Sequence, residues 1–548
     1  MQRRMRGGIG VRVGAAVVGV ALLATGCGSG GGSGKEAAAS DPGTPSPVQQ
    51  PVKAPDPATL TAFTSQKPVW TDCPKGPELP AGSPKMPEGK CTKIKVPLDY
   101  AEPDGETIEI AVNKFPATGE KRGSLFVNPG GPGGSGLGFA PAIPMVSPEV
   151  GKAYDVIGFD PRGVGESKAV ECLDTAAKDA YYAAGPTPRP TADGKAAWRK
   201  AAKAMADGCE AKSGKLLPHV GTENVARDID VMRAVLGEKK TDYAGVSYGT
   251  LLGAYYAEQY PEHIDRMYLD SVMDPARTLP GIIEDNAASF QKAYEAFLAR
   301  CAEDKDGDQE PCPMGKDPKA TDAAIQKLAK DLEAKPVAAK SDPKRPVSGS
   351  DLRDALTEGL GQAASWPKLT KTLGSALKGD LDGVREDADG AHGRKEDGSY
   401  GSTDQSYLAV ACQFATDEDR SHEALDAALV KATKKSALFG PVDTFRPCAD
   451  WAAKSAAPAR EIKTSGTQPI LLAQNTGDPA TPLAWAQAAQ KMLGGSALAT
   501  NEAFGHGYLT AGACTMKVFG DYLAKGTVPG AGSECHDSGM NQSPPAAE

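Results

Sequence analysis

Three short segments carry residue types that together can perform acyl transfer. Gly245-Val246-Ser247-Tyr248-Gly249 sets a serine between two glycines. A serine so flanked can occupy a sharp strand-to-helix turn, where side chains beside it would crowd the backbone. Its hydroxyl is a weak nucleophile until a base takes the proton. Six histidines could serve. His506 alone, in Phe504-Gly505-His506-Gly507-Tyr508, lies in a glycine-flanked loop beyond the last strand-like run. His219 precedes the serine, His263 follows a surface-like turn, His392 and His422 fall in a polar helical region, and His536 is in the tail. An elbow serine requires the chain order serine, acid, histidine. Asp478, in Asn475-Thr476-Gly477-Asp478-Pro479, satisfies it as the group that would orient the imidazole. Asp270, one strand earlier, is the alternative acid.

A fourth segment would serve the developing oxyanion. Asn128-Pro129-Gly130-Gly131-Pro132-Gly133-Gly134-Ser135-Gly136 follows an apolar run, and its glycines free backbone N–H groups to approach a ligand oxygen. The expected donors are the amides of Tyr248, next to the nucleophile, and Gly131. A phosphate-cradling loop is the competing reading. It lacks the Lys-Ser/Thr ending, and Pro132 interrupts its glycine pattern. Asp160-Pro161-Arg162-Gly163 closes another strand-like run and reads as a structural turn pinned by pairing of Asp160 with Arg162.

The elements around these segments specify a fold class. Residues 93–98 and 107–112 alternate apolar and polar side chains, as half-exposed strands do. Residues 124–128, 155–160, 241–244, 266–270 and 469–474 read as further strands. Residues 224–236 have helical apolar spacing and stop before Gly237, and 251–259 read as helix. Strands alternating with helices predict an α/β protein with a doubly wound, mostly parallel sheet, the α/β-hydrolase fold. Residues 276–450 are helix-rich with little strand signal, the pattern of an inserted, mainly helical cap domain. The expected division is 1–26 signal peptide, 27–65 flexible linker, 66–275 first part of the hydrolase domain, 276–450 cap, 451–536 second part, and 537–548 disordered tail.

Charge and cysteine usage locate the chemistry. A net charge of −9, without a basic cluster beyond the first residues, argues against a nucleic-acid partner. Arg3, Arg4 and Arg6 precede an apolar run over 13–23, too short to span a bilayer and long enough for a signal peptide. The run ends in Leu23-Ala24-Thr25-Gly26-Cys27, which resembles the lipobox at which Cys27 would be lipidated; a plain secretory signal is the alternative. Eleven cysteines less Cys27 leave ten, an even set that suits disulfides in an oxidising compartment. They fall into sequence-local couples: Cys73 with Cys91, Cys172 with Cys209, Cys301 with Cys312, Cys412 with Cys448, and Cys514 with Cys535. A metal site is the rival use, but neither Cys-x-x-Cys nor His-x-x-x-His spacing occurs. The expected location is extracellular or on the cell surface, with any membrane contact made through a lipid.

The glycine loop at 128–136, Asp160–Ser167, Gly245–Thr250, Gly477-Asp478-Pro479-Ala480-Thr481-Pro482 and Gly505-His506-Gly507 together resemble the secreted tripeptidyl aminopeptidases, kin of the prolyl aminopeptidases. The resemblance covers about residues 70–530. It implies serine exopeptidase activity on peptides with a free N-terminus, using Ser247, His506 and Asp478, with no metal or organic cofactor. It also implies acidic groups, often from the cap, that hold the substrate ammonium, though no motif here identifies them. Two other functions fit the same residues: an esterase or lipase with the same triad, and a lipid-anchored binding protein on a hydrolase scaffold.

Overall fold

The computed structural model describes residues 52–74, 86–185, 191–303, 312–464, 470–530 and 534–538. All of them lie in one compact unit, Val48–Glu548. The signal-peptide run, Cys27 and the tail beyond 538 are outside the described residues.

Ten strands form one sheet: β1 (Thr71–Asp72), β2 (Lys90–Pro97), β3 (Thr107–Phe115), β4 (Gly123–Asn128), β5 (Tyr154–Phe159), β6 (Thr241–Val246), β7 (Ile264–Asp270), β8 (Ile470–Gly477), β9 (Ala497–Phe504) and β10 (Glu534–Cys535). Their spatial order is β1-β2-β3-β5-β4-β6-β7-β8-β9-β10. The pairs from β1 to β5 through β2 and β3 are antiparallel, and those from β5 through β4 to β10 are parallel. This is the α/β-hydrolase architecture expected above. Strand β9, with its run of Ala, Thr, Asn and Glu, lacked the β-branched and aromatic signal that marked the others.

Side-chain alternation sorts the sheet into two faces. Phe126, Ile157, Tyr243, Met267, Leu269 and Leu472 enter one apolar cluster. They meet helices α1 (Ala192–Ser213), α2 (Thr222–Val235) and α3 (Tyr248–Gln259) there. Leu125, Val127, Val156, Ala244, Tyr268 and Leu471 face the other way, against Ile143, Val150, Phe519 and Tyr522. A one-residue slip in any strand would exchange the two sets, so burial on both faces fixes register. Helix α2 ends where Gly237 takes φ 76°, the left-handed conformation that suits a residue just past a helix.

Between β7 and β8 the named elements are all helical, including α4 (Leu279–Ala302), α5 (Gly349–Gly361) and α6 (Thr403–Ala411). Their apolar side chains divide between two clusters. Phe290, Phe297, Leu352, Leu356, Trp366 and Leu369 form a separate core. Leu408, Cys412, Leu425, Phe445 and Trp451 join the core beneath the sheet. After β8 comes α7 (Leu483–Met492), packed against that strand.

Five disulfides are present: Cys73–Cys91, Cys172–Cys209, Cys301–Cys312, Cys412–Cys448 and Cys514–Cys535. Such bonds persist in oxidising, extracytoplasmic space, so they fit an extracellular protein. Among the described residues no helix is long and apolar enough to cross a membrane.

Two sequence expectations are corrected. The span 27–65 is not linker throughout: Pro57–Leu60 and Thr61–Thr64 are helical, because Leu60 and Phe63 bury their side chains in the core. Arg162 does not pair with Asp160. Its guanidinium, fully buried, donates to both carboxylate oxygens of Asp228 on α2, at 2.8 and 2.6 Å. It also donates to the carbonyls of Leu98, Pro97 and His219. The carboxylate also takes the Tyr100 hydroxyl at 2.8 Å. A fully buried guanidinium needs its charge balanced and its donors filled; Asp228, 66 residues away in sequence, does this from α2. Asp160 instead binds the glycine loop, as described below. Asp228→Ala therefore leaves a buried cation uncompensated and should cost about 3–5 kcal/mol, read as a lower midpoint of thermal unfolding. An unchanged midpoint would show the pair to be structurally dispensable.

Candidate active site

Ser247 sits between the end of β6 and the start of α3 with φ 56° and ψ −123°. That backbone conformation costs on the order of 1–3 kcal/mol for a residue with a side chain and persists only where neighbours enforce it. Here the Ser247 N–H donates to the Asp270 carbonyl at 2.9 Å, and its own carbonyl accepts from the N–H and hydroxyl of Thr250. The flanking glycines are required by close approach. A Cβ on Gly245 would lie 2.3 Å from the Gly249 carbonyl oxygen, and one on Gly249 would lie 2.7 Å from that of Asn128.

The glycine loop after β4 presses against this turn. Gly130 (φ 85°) could carry no side chain, because its Cβ would lie 2.3 Å from the Val246 carbonyl oxygen and 2.9 Å from the Tyr248 nitrogen. The Asn128 side chain accepts the Gly130 N–H at 2.9 Å. At the far end of the loop, Ser135 donates its hydroxyl to Asp160 at 2.6 Å; Asp160 also takes the Glu166 and Leu137 amides. Both ends of the loop are thus tied. Gly131 follows Gly130 directly and lines a cavity of about 710 Å³.

Asp478 and His506 are brought together at the ends of β8 and β9. His506 Nδ1 lies 2.9 and 3.1 Å from the two carboxylate oxygens of Asp478. Asp478 is buried and also accepts from the Ala480 and Thr481 amides, the Thr481 hydroxyl and the Gln474 side chain. With Nδ1–H directed at this carboxylate, the Nε2 lone pair is the one free to take a proton. Burial alone pulls the His506 imidazolium down. The charge and hydrogen bond of Asp478, with the charge of Asp270, push it up and prevail, so its pKa lies above the usual histidine value.

Asp270, the alternative acid, holds the histidine loop by its backbone. Its carboxylate accepts the N–H groups of Tyr508 and Leu509 at 2.6 and 2.8 Å and the Ser271 hydroxyl at 3.0 Å. Ser271 in turn accepts the Gly507 N–H at 2.8 Å. Asn475 donates to the carbonyls of Gly505 and Gly507. From the helical insertion, the Gly361 carbonyl accepts the His506 N–H at 2.7 Å, and the Gln362 side-chain amide donates to the His506 carbonyl.

The remaining histidines are engaged elsewhere. His263 meets Asp230, His392 meets Asp354, His422 meets Asp450 and His536 meets Glu502. His219 offers its main-chain carbonyl to Arg162. Among the described residues, the metal-ligand types that cluster are Cys514, Cys535 and Asp537. The two sulfurs there are bonded to each other and supply no thiolate.

The cavity beside Gly131 has walls that sequence reasoning did not assign. Asp354 and Glu358 reach it from α5, and Asp404 from α6. Asp404 is matched by Lys178 at 2.8 Å and by the Tyr182 hydroxyl, and Asp354 by His392 at 3.2 Å. Glu358 faces the cavity exposed and without an ion-pair partner among the described residues. In the sequence it is one more charge on an amphipathic helix, which reads as solvated surface.

The profile of the alpha/beta hydrolase fold family matches residues 123–507. The chain is 32% identical over 487 residues to the serine protease Hip1 of Mycobacterium tuberculosis, covering 85% of this chain and 90% of that one. It is 33% identical over 455 residues to a tripeptidyl aminopeptidase of Streptomyces lividans, covering 80% of each. A carboxylesterase B of Mycobacterium tuberculosis is 29% identical over 486 residues, covering 85% of this chain and 89% of that one. With a strained serine at the strand–helix turn and a buried aspartate on a histidine at the end of β9, the chain belongs to the alpha/beta hydrolase fold family and is a serine hydrolase.

Proposed function

We propose that the protein is an exported serine exopeptidase that releases short peptides, tripeptides by preference, from free N-termini. Ser247 attacks the scissile carbonyl, His506 Nε2 takes the hydroxyl proton and returns it to the leaving amine, and Asp478 fixes the tautomer and stabilises the imidazolium. The amides of Tyr248 and Gly131 receive the negative charge that develops on the carbonyl oxygen. Water then hydrolyses the acyl-enzyme with His506 again as base.

The observation that carries the exopeptidase reading is the cavity itself. It has Gly131 in one wall and the unpaired Glu358 carboxylate in another. Its volume of about 710 Å³ suits a small ligand. Glu358 is the group that pairs with the substrate ammonium. The likeness to the Streptomyces tripeptidyl aminopeptidase supports the same reading. The likeness to a carboxylesterase favours a second one, ester hydrolysis by the same triad. The helical segment 276–450, read as a cap domain, supplies Glu358 and most of the cavity's lining in either case.

Export rests on the N-terminal run and the five disulfides, with lipidation at Cys27 as the proposed anchor. Metabolic labelling with a palmitate analogue should mark the wild type and not Cys27→Ala. Labelling of both would remove the anchor.

Ser247→Ala should lower kcat by about 10⁶-fold and Asp478→Asn by about 10⁴-fold. Protonated His506 cannot act as base, and its pKa is raised, so the acid limb of kcat/KM should fall above pH 6.5. Asp478→Asn removes the largest influence holding the imidazolium while burial remains, so the limb should move to lower pH. If Asp270→Asn is the slower variant and Asp478→Asn leaves the limb in place, the acid is misassigned.

An unblocked tripeptide anilide should be cleaved and its N-acetylated twin should not. Glu358→Gln should raise KM for the free amine and narrow that difference. An esterase would ignore acetylation, and equal cleavage of both substrates by the wild type decides for the second reading.

A further inference from the structure

A second, smaller cavity of about 270 Å³ adjoins the first. The two share Thr357, Tyr407 and Thr444 as lining residues, so they lie side by side, a main cavity and an annex. The annex is built from the first helix of the insertion: Ile282, Ile283 and Phe290 on α4, opposite Phe439, Val442 and Phe445. Among its lining residues none is charged, whereas the main cavity holds three carboxylates. The two compartments therefore select opposite chemistry. A cation or a polar group is matched in the first, and an apolar group is the one that loses least by leaving water in the second.

The annex is held in register with the reacting groups. Ala480 lines it, and the same residue's N–H donates to Asp478 at 2.9 Å. Helix α4 is fastened to that turn and the helix after it: the Ser289 hydroxyl donates to the Pro479 carbonyl, and Trp485 on α7 donates its ring N–H to Asp285 at 2.9 Å. One polar atom stands out on the wall. Asn286 Oδ1 is buried with no hydrogen-bond partner among the described residues. A buried amide oxygen left without a donor costs free energy, about 1–3 kcal/mol, that a ligand N–H would recover.

From this geometry we infer that the annex is a side-chain subsite for a large apolar residue of the released peptide, and that Asn286 accepts a main-chain N–H of that peptide as it enters. The inference rests on the exopeptidase reading, because it requires a peptide in the main cavity. It adds the substrate class: peptides with an apolar residue at one position among those released.

The test uses unblocked tripeptide anilides in which each of the three residues in turn is Leu, Ala or Asp. At one position, and not at the other two, Leu should exceed Ala in kcat/KM by about tenfold or more, with Asp below both. Ala287→Phe fills the annex from its α4 wall and should bring that Leu-to-Ala ratio close to one, leaving the ratios at the other positions as they were. Ile283→Ala widens the same wall and should shift the preference from Leu toward Phe; it serves if the first variant does not fold. Asn286→Leu should lower kcat/KM for every peptide of the series. The inference is overturned if no position prefers Leu, or if the preference survives whichever of the two wall variants folds. Insensitivity to N-acetylation would instead sink the exopeptidase reading, and the subsite would then stand or fall on the Leu-to-Ala ratio alone.

Discussion

Asp270, at the end of β7, is the residue from which both halves of the reactive site hang. Its main-chain carbonyl takes the Ser247 N–H, and its carboxylate takes two successive N–H groups just past His506. The nucleophile turn and the histidine loop come from strands on either side of β7 and have no covalent reason to stay aligned. A single buried residue between them sets their spacing. Burial pushes the Asp270 carboxyl above the usual carboxylate range, against the pull of those two amides, the Ser271 hydroxyl and the charge of His506. A group so poorly solvated is stable only while its donors stay in place, which makes the loop and the carboxylate mutually dependent. Ser271, with φ 55°, accepts the strain of turning its hydroxyl toward Gly507.

The same constraint explains the distribution of glycine. At Gly245, Gly249 and Gly130 the backbones of β4, β6 and α3 approach within contact distance of a would-be Cβ. Three segments converge on Ser247, and Gly130 brings the glycine loop within contact distance of the Tyr248 amide. Small residues are what let a preorganised set of donors assemble without side chains between them. This close approach is legible in the sequence as Gly-x-Ser-x-Gly and as the run from Gly130 to Gly136, so the serine turn and the glycine loop show in the residues themselves.

Other parts were legible for weaker reasons or not at all. Strands buried on both faces, such as β4 and β8, announced themselves by continuous apolar runs. Strand β9 did not, because its inward positions are Ala499, Asn501 and Ala503, and Asn501 is satisfied by Asn475 across the sheet. Periodicity correctly marked 276–450 as helical, yet it reports only that a helix has an apolar face. It could not tell that Phe290 and Leu408 enter different cores. The pairing of Arg162 failed for a related reason. Proximity in sequence suggested Asp160, whereas a buried guanidinium takes whichever carboxylate the tertiary packing delivers. Asp160 itself, close to neutral donors of the glycine loop, was already committed.

A division of labour follows from where the side chains originate. The turns and loops at the strand ends supply the groups proposed to move a proton or stabilise charge at the reacting carbonyl, and such groups are indifferent to whether an ester or an amide is cleaved. The helical insertion supplies Glu358, Tyr407 and most of the apolar annex, the groups proposed to tell one substrate from another. Among the contacts that join the two, Gly361 and Gln362 at the end of α5 grip the His506 backbone, and Ser289 on α4 grips the turn that carries Asp478. Helix α5 bears Glu358 one turn before that grip, so the proposed ammonium-binding group and the backbone of His506 are held by the same element. Displacement of α5 by a poorly fitting substrate would be felt at His506, where an error of about 1 Å can cost a hundredfold in rate. Selectivity in such a site can appear in kcat as well as in KM, because the walls that choose the substrate also position the groups that act on it.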